Sequence, residues 1–383
     1  MAGRRESQHT AAAAGTSRRA LLAGIAAMTL AARAGRAGVV MPASAGARFL
    51  SARRHGSRHE AVMIDSQARD LAVLALPDRG HSFAIDAAGA RAVAFGRQPG
   101  FFALGMSLAD GRGLGALPLP ADRHFFGHGA FSADGTRLYA TENDFEAGRG
   151  VIGIYDARPA AAWQRLGEFD TAGIGPHEVV LMADGRTLCV ANGGLLTHPD
   201  YGKEPLNRAT MRPSLVYLDA QSGQLLEKVE LAPGLFQLSI RHLAVAGNDA
   251  VWFACQHEGP ATEQPPLLGR HRRGSAPELF AGPPAVLRSL RNYLGSIAID
   301  RDAGLIATSS PVGGSVAFWH AADGRSAGSL GRADGCGVAP LGDGRFLVSD
   351  GFGAMMTAGP KGQPQQLMQP DTEMSWDNHL RRV

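Results

Sequence analysis

Gly127-His128-Gly129-Ala130-Phe131-Ser132-Ala133-Asp134-Gly135 runs into Arg137-Leu138-Tyr139-Ala140-Thr141, and Pro176-His177-Glu178-Val179-Val180-Leu181 runs through Asp184-Gly185 into Thr187-Leu188-Cys189-Val190-Ala191. In both, two apolar stretches flank an Asp-Gly pair. Asp and Gly tolerate the backbone conformations of a tight turn, so Asp-Gly between such stretches is a strong hairpin signal. Comparable openings, with a small residue or His at the head of an apolar run, recur at Gly80-His81-Ser82-Phe83, Arg241-His242-Leu243-Ala244, Gly295-Ser296-Ile297-Ala298 and Gly335-Cys336-Gly337-Val338. Counted from residues 81, 128, 177, 242, 296 and 336, the spacings are 47, 49, 65, 54 and 40. A repeat of about 40 to 50 residues with four strands per unit is the signature of a β-propeller.

Outward from these hairpins, third strands are expected to end in Ile154-Tyr155-Asp156, Val216-Tyr217-Leu218-Asp219 and Ala317-Phe318-Trp319, with fourth strands near 162–169, 225–231 and 326–330. The six openings leave two remainders. Residues 48–53, 61–65 and 71–76 read as second, third and fourth strands without a first, and Trp376-Asp377-Asn378-His379-Leu380 reads as a first strand without the rest. Joined, they complete a seventh blade. The expected fold is therefore an all-β, seven-bladed propeller of four-stranded antiparallel blades, closed by the C-terminal strand so that no sheet edge is left to aggregate. The composition agrees. With 50 Gly, 22 Pro and 45% apolar residues in 383, the chain has many turns and enough apolar side chain for a large core, which excludes disorder, collagen and coiled coil.

Two regions are distinguished: an export signal over residues 1–45 and a single propeller domain over residues 46–383. Arg18-Arg19 precedes the Ala-rich apolar run that reaches Leu30, and Ala43-Ser44-Ala45 offers a cleavage site, an arrangement expected of a Tat-type signal peptide and hence of a periplasmic protein. The apolar run is shorter than the roughly 20 residues a membrane span requires, so no span is expected after cleavage. Six arginines and one glutamate fall within residues 1–45, so the formal charge of +3 becomes about −2 without them. That balance gives no reason to expect a nucleic-acid partner. Three cysteines without a CxxC or CxxCH spacing argue against a disulfide framework and covalent haem attachment. A monomer is expected.

In a propeller the starts of the inner strands and the ends of the second strands share one face. Five inner-strand starts carry histidine: His81, His128, His177, His242 and His379. Neutral imidazoles converging on an axis suit copper, iron or zinc; alternatively, Gly-His dipeptides belong to the WD40 repeat pattern, where the histidine is structural. Glu142, Asn143, Glu178, Asn192, Arg241 and Asp377 lie on loops or strand ends of the same face and are candidates for binding a ligand or backing the histidines. Arg241 is a candidate clamp for a carboxylate or phosphate, or else an ion-pair partner for Glu178. The long segment from Asn192 to Pro213 and the stretch from Pro283 to Leu294, whose apolar residues have helical spacing, complete the face. Catalytic residues are not identifiable, and no GxSxG, HExxH, P-loop or dinucleotide motif is present.

The runs Thr141-Glu142-Asn143-Asp144-Phe145-Glu146-Ala147-Gly148-Arg149-Gly150, Gly175-Pro176-His177-Glu178, His198-Pro199-Asp200-Tyr201-Gly202, Met211-Arg212-Pro213-Ser214-Leu215, Ser239-Ile240-Arg241-His242-Leu243 and Trp376-Asp377-Asn378-His379 resemble a family of exported bacterial proteins of unknown function. The resemblance spans residues 47–383 and implies a WD40-like propeller. Members are encoded near imelysin-type iron-regulated proteins and di-haem-type oxidoreductases, which implies a periplasmic role in iron or copper handling. Two functions are expected from this: a propeller that binds a partner protein, small ligand or transition metal on its histidine-rich face, or a metal-dependent oxidoreductase with a His-ligated axial site.

Overall fold

The computed structural model describes residues 46–383. Each pair of apolar stretches does form a hairpin, and the hairpins assemble into seven four-stranded antiparallel sheets. The blades are numbered from the N-terminus. Their inner strands are Met374–Arg382 in blade 1, Gly80–Ile85 in blade 2, Arg123–Phe131 in blade 3, Pro176–Leu181 in blade 4, Leu238–Val245 in blade 5, Ser296–Asp300 in blade 6 and Gly335–Pro340 in blade 7. Blade 1 is completed by Arg48–His55, Arg58–Asp65 and Asp70–Leu76, and the ring closes through Phe49↔Arg382, Leu50↔Arg381 and Ser51↔Leu380.

The Asp-Gly turns behave as their chemistry dictates. Gly135 and Gly185 take φ of 67° and 65°, and Asp134 and Asp184 accept backbone N–H groups from Thr136 and Arg186 at 3.0 and 2.9 Å. The fourth strand expected over 162–169 starts later, at Arg165. Ala162 and Trp163 have φ of 47° and 58° and form a turn that lays the Trp163 indole against Gly105 and Gly115, with its Nε1 donating to Leu114 O at 3.0 Å.

Both faces of each sheet are covered by its neighbours, so the middle strands are apolar almost throughout, as in Leu188-Cys189-Val190-Ala191 and Val251-Trp252-Phe253-Ala254. The core is consequently a ring of interblade layers: Phe95 and Phe125 between blades 2 and 3, Val190 and Val216 with Tyr139 between blades 3 and 4, and Phe318 with Phe346 between blades 6 and 7. Burying each such aromatic stabilises the fold by about 2–3 kcal/mol. Cys189, Cys255 and Cys336 are buried, unbridged packing residues, and burial pushes the Cys189 thiol up to about 12. No helix among the described residues is long and apolar enough to cross a membrane. The Pro283–Leu294 stretch does contain a short helix, α1 (Pro284–Ser289), which seats Val286 and Leu290 in the core.

Candidate functional site

The inner strands carry the site, and they are irregular where it lies. Pairing between the first and second strands shifts register between Gly80 and Phe83, Phe125 and Gly129, Pro176 and Glu178, and Ile240 and His242. In blade 1 the inner strand shifts between Leu380 and Trp376, opposite Ser51 and Arg53. Each shift brackets or adjoins one of the five histidines. A bulge takes up extra residues on one strand and re-aims the side chain there, and here it directs each imidazole to the propeller axis. Gly127 makes this packing possible in blade 3: its φ is 104°, and a Cβ there would lie 2.5 Å from His81 Cδ2.

All five histidines are brought together at the axis and are buried. Eight of the ten ring pairs have centroids between 4.6 Å, for His81–His379, and 6.0 Å, for His81–His177, apart. One ring nitrogen from each of His81, His128 and His177 lies within 4.8 Å of the others, and the same holds for His128, His242 and His379. Desolvation lowers the pKa of every one of them, joined by repulsion from neighbouring histidines at His81, His128, His177 and His379 and from Arg381 and Arg241 at His242, and His81 falls to about 4 even with Asp377 opposing the shift. The cluster is therefore neutral, the state in which imidazole binds metal.

Two carboxylates brace the cluster. Asp377 Oδ1 lies 3.0 Å from His81 Nδ1 and accepts from Arg97 Nη1 at 3.0 Å, and its Oδ2 accepts from Arg79 Nε at 2.6 Å. Glu178 lies 3.6 Å from His128 Nδ1 and 3.4 Å from His242 Nδ1, and accepts from Arg381 Nη2 at 2.5 Å. Burial would raise both carboxyls, but the cations beside them, Arg97 and Arg79 for Asp377 and Arg381 for Glu178, hold each well below the usual carboxylate range. Ser296 Oγ stands 3.4 Å from His379 Nδ1. Four imidazoles thus have an oxygen beside Nδ1. His128 Nε2 and His379 Nε2 are buried without a hydrogen-bond partner, and so is His242 Nδ1, whose approach to Glu178 is misaligned. Two rings face a guanidinium donor at Nδ1: His177 meets Arg241 Nη1 at 3.4 Å, and His128 meets Arg381 Nη2 at 3.3 Å.

Above the imidazoles is a pocket of about 560 Å³, with His81, His177 and His242 in its floor and Arg97, Arg241, Gln256, Glu258 and Tyr293 around it. Tyr201, Lys203, Glu204 and Arg208 of the long 193–213 segment form one wall. Lys203 is held down to about 8 by lost solvation and by the neighbouring Arg97 and Arg79, with Asp377 opposing.

The remaining candidates are placed elsewhere. Glu142 is buried within blade 3, accepting from Tyr155 Oη at 2.6 Å and Arg165 Nη2 at 2.9 Å. Asn143 donates to Thr197 O, and Asn192 donates to Thr171 O and Ser214 Oγ, so both tie loops to blades. Arg241 does not pair with Glu178, the ion pair considered from sequence. The bulge at Arg241 turns it up into the pocket, where its Nη2 is 3.4 Å from Glu258, while Arg381 takes Glu178 from below. Arg79, Arg97, Lys203 and Arg381 were not anticipated. Arg381 had a signal: it stands two residues after His379 and so shares its side of the strand.

A seven-bladed ring with a buried histidine cluster at its axis defines a β-propeller protein. Residues 74–383 match the family model described as protein of unknown function (DUF1513), and the chain belongs to that family. A comparison with curated proteins found no match. Among solved structures, the chain is similar to hydrazine synthase of Kuenenia stuttgartiensis (TM-score 0.57, 12% identity, 80% of this chain and 89% of that one). It is similar also to the Cps50 (Swd1) β-propeller domain of Myceliophteria thermophila (TM-score 0.56, 11% identity, 79% and 93%) and to BamB of Moraxella catarrhalis (TM-score 0.52, 14% identity, 84% and 87%). At these identities the likeness is one of fold.

Proposed function

We propose that this protein binds a transition metal ion, copper, iron or zinc, on its axial histidines, and that it does so as an exported, periplasmic protein. The observation that carries the reading is the buried trio His128, His242 and His379, whose ring nitrogens approach within 4.8 Å of one another with oxygens of Glu178 and Ser296 beside Nδ1. An oxygen that accepts from Nδ1–H leaves the Nε2 lone pair free and raises its basicity, the usual arrangement behind metal-bound histidine; Ser296 is placed for this at His379 and Glu178 stands beside His242, whereas His128 Nδ1 faces the Arg381 Nη2 donor at 3.3 Å. Metal–nitrogen bonds of about 2.0–2.1 Å require the nitrogens to draw slightly closer, a movement small rotations of the imidazoles supply. His81, backed by Asp377, stands beside the trio and opens to the pocket, where it provides a further ligand.

The donor set favours metals that accept imidazole over calcium or magnesium, which take oxygen ligands. Glu178 and Asp377 remain ionised next to the neutral rings and offset the charge of a bound cation. The export reading rests on Arg18-Arg19 and the apolar run after it, which lie outside the described residues. Binding and handling of the metal, with the pocket as its route in, is the function favoured here. Redox catalysis would draw on the same site.

The test is metal analysis of untagged protein recovered from the periplasm, beside a His128→Ala/His379→Ala variant shown by circular dichroism to keep its β fold. Metal at close to one equivalent in the wild type and near background in the variant is the expected result. A wild-type preparation that stays metal-free after exposure to copper, iron and zinc overturns the reading.

A further inference from the structure

We propose that the pocket over the histidine cluster is an anion site, which takes a small, multiply charged oxyanion through Arg241, Lys203 and Arg208. Arg241 supplies the central observation. It is nine-tenths buried, its Nε has no hydrogen-bond partner, and its Nη2 reaches Glu258 only at 3.4 Å. A buried guanidinium with an idle donor costs free energy unless something accepts from it, and the planar fork matches the paired oxygens of carboxylate or phosphate.

The surroundings repeat the pattern. Arg208 shares the same Glu258 at 3.9 Å, too far for a hydrogen bond. Lys203 projects from the 193–213 segment, has no ion pair among the described residues, and keeps its charge at neutral pH against the repulsion of Arg97 and Arg79. The pocket is lined by four cations, Arg97, Lys203, Arg208 and Arg241, against two carboxylates, Glu204 and Glu258, while Asp377, outside that lining, is already engaged by Arg79 and Arg97. A cleft with a surplus of one sign concentrates ligands of the other. Tyr293 and Tyr201 also line the pocket, and its volume of about 560 Å³ admits a small molecule with several acid groups. An anion seated there stands directly over His81, His177 and His242, near enough to accompany a metal ion into the site.

This inference goes beyond metal binding and does not rest on it. The experiment uses metal-free protein, and titrates citrate, oxalate and inorganic phosphate by isothermal calorimetry at low and high salt. Saturable, salt-sensitive binding of at least one of them is expected, with Arg241→Gln weakening it by roughly tenfold to a hundredfold. Lys203→Met, at an exposed side chain with no ion pair to lose, is expected to weaken it severalfold, and keeps the test readable should Arg241→Gln fail to fold. Binding of citrate or oxalate without phosphate assigns the site to carboxylates, and binding of all three assigns it to oxyanions generally. The His128→Ala/His379→Ala variant keeps all three cations, so anion binding that survives in it separates this site from the metal. No binding of any of the three, or affinity unchanged in Lys203→Met and in folded Arg241→Gln, overturns the proposal.

Discussion

The inner strands of blades 4 and 6 occupy equivalent places in the ring and treat the axis differently. In blade 6 every residue from Ser296 to Asp300 pairs in unbroken register with Ser309 to Leu305. In blade 4 the register breaks between Pro176 and Glu178, and the extra residue is His177. Blades 1, 2, 3 and 5 share that break at a histidine, whereas the blade with unbroken pairing contributes only the small Ser296. Blade 7 sharpens the point, since its strand also shifts, between Gly335 and Val338, but presents Cys336 instead of an imidazole. Bulging on the inner strand is therefore a feature of this ring's axis, and five blades use it to aim a histidine.

The largest effect that separates the two kinds of blade is expected at Glu178, the carboxylate that the bulge of blade 4 delivers. Glu178→Ala leaves Arg381 facing His128 and His242 with no counter-charge, and loss of one partner of a buried pair costs about 3–5 kcal/mol. Urea unfolding of the metal-free protein should show that loss. A change below about 1 kcal/mol would mean the pair is dispensable and the axis is held by the sheets alone.

Acid should reveal the same asymmetry. An unfolded histidine takes up its proton near pH 6.5, while folded His81 resists until about 4. Between those values the unfolded state binds more protons, so stability falls as the pH drops through that window and levels off below it. For His81 alone the loss amounts to about 3 kcal/mol. Asp377 and Glu178, with their depressed pKa values, add loss in the same direction once the pH passes below the ordinary carboxylate range. Unfolding free energies of metal-free protein at pH 7 and pH 5 should differ accordingly, and His81→Gln should reduce the slope. A flat profile would show that the rings protonate freely in the folded state. Gly127→Ala comes next, with about 2–3 kcal/mol expected from overpacking against His81. Substitution of Gly304, also at positive φ but in open space at a turn, should cost less, because it lacks the clash. Equal losses in chemical unfolding would trace the Gly127 effect to φ alone.

Much of the ring was legible in the sequence because propeller hairpins write themselves in short-range chemistry. Asp134-Gly135 and Asp184-Gly185 fix turns, and the apolar runs beside them fill interblade layers, so strand order and closure by Trp376–Leu380 follow from local signals. The histidine set was legible for the same reason: equivalent positions in a repeat reach equivalent positions in space. The bulges were not, since one extra residue in a run such as Ser239-Ile240-Arg241-His242 leaves no mark in composition. Without them Arg241 could be matched to Glu178, and Glu142 placed with the cluster, although it lies inside blade 3. Lys203 and Arg208 were hidden for another reason. They meet the axis only because the 193–213 segment folds back over it, a long-range event with no periodic signature.

The smallest effect, and the most discriminating, belongs to the regular blade. Ser296→Ala removes only the hydroxyl that stands 3.4 Å from His379 Nδ1. At that length the bond adds little, so stability should change by less than about 1 kcal/mol. Metal affinity is a different matter, because losing an outer partner of a ligating histidine typically weakens binding by roughly tenfold to a hundredfold. Competition with a chromogenic chelator measures that loss directly. If affinity falls while unfolding is unchanged, blade 6 contributes to the site through orientation of a neighbour's imidazole, with no bulge and no histidine of its own. If neither changes, His379 is set by its own strand, and the five histidine-bearing blades suffice to build the axis.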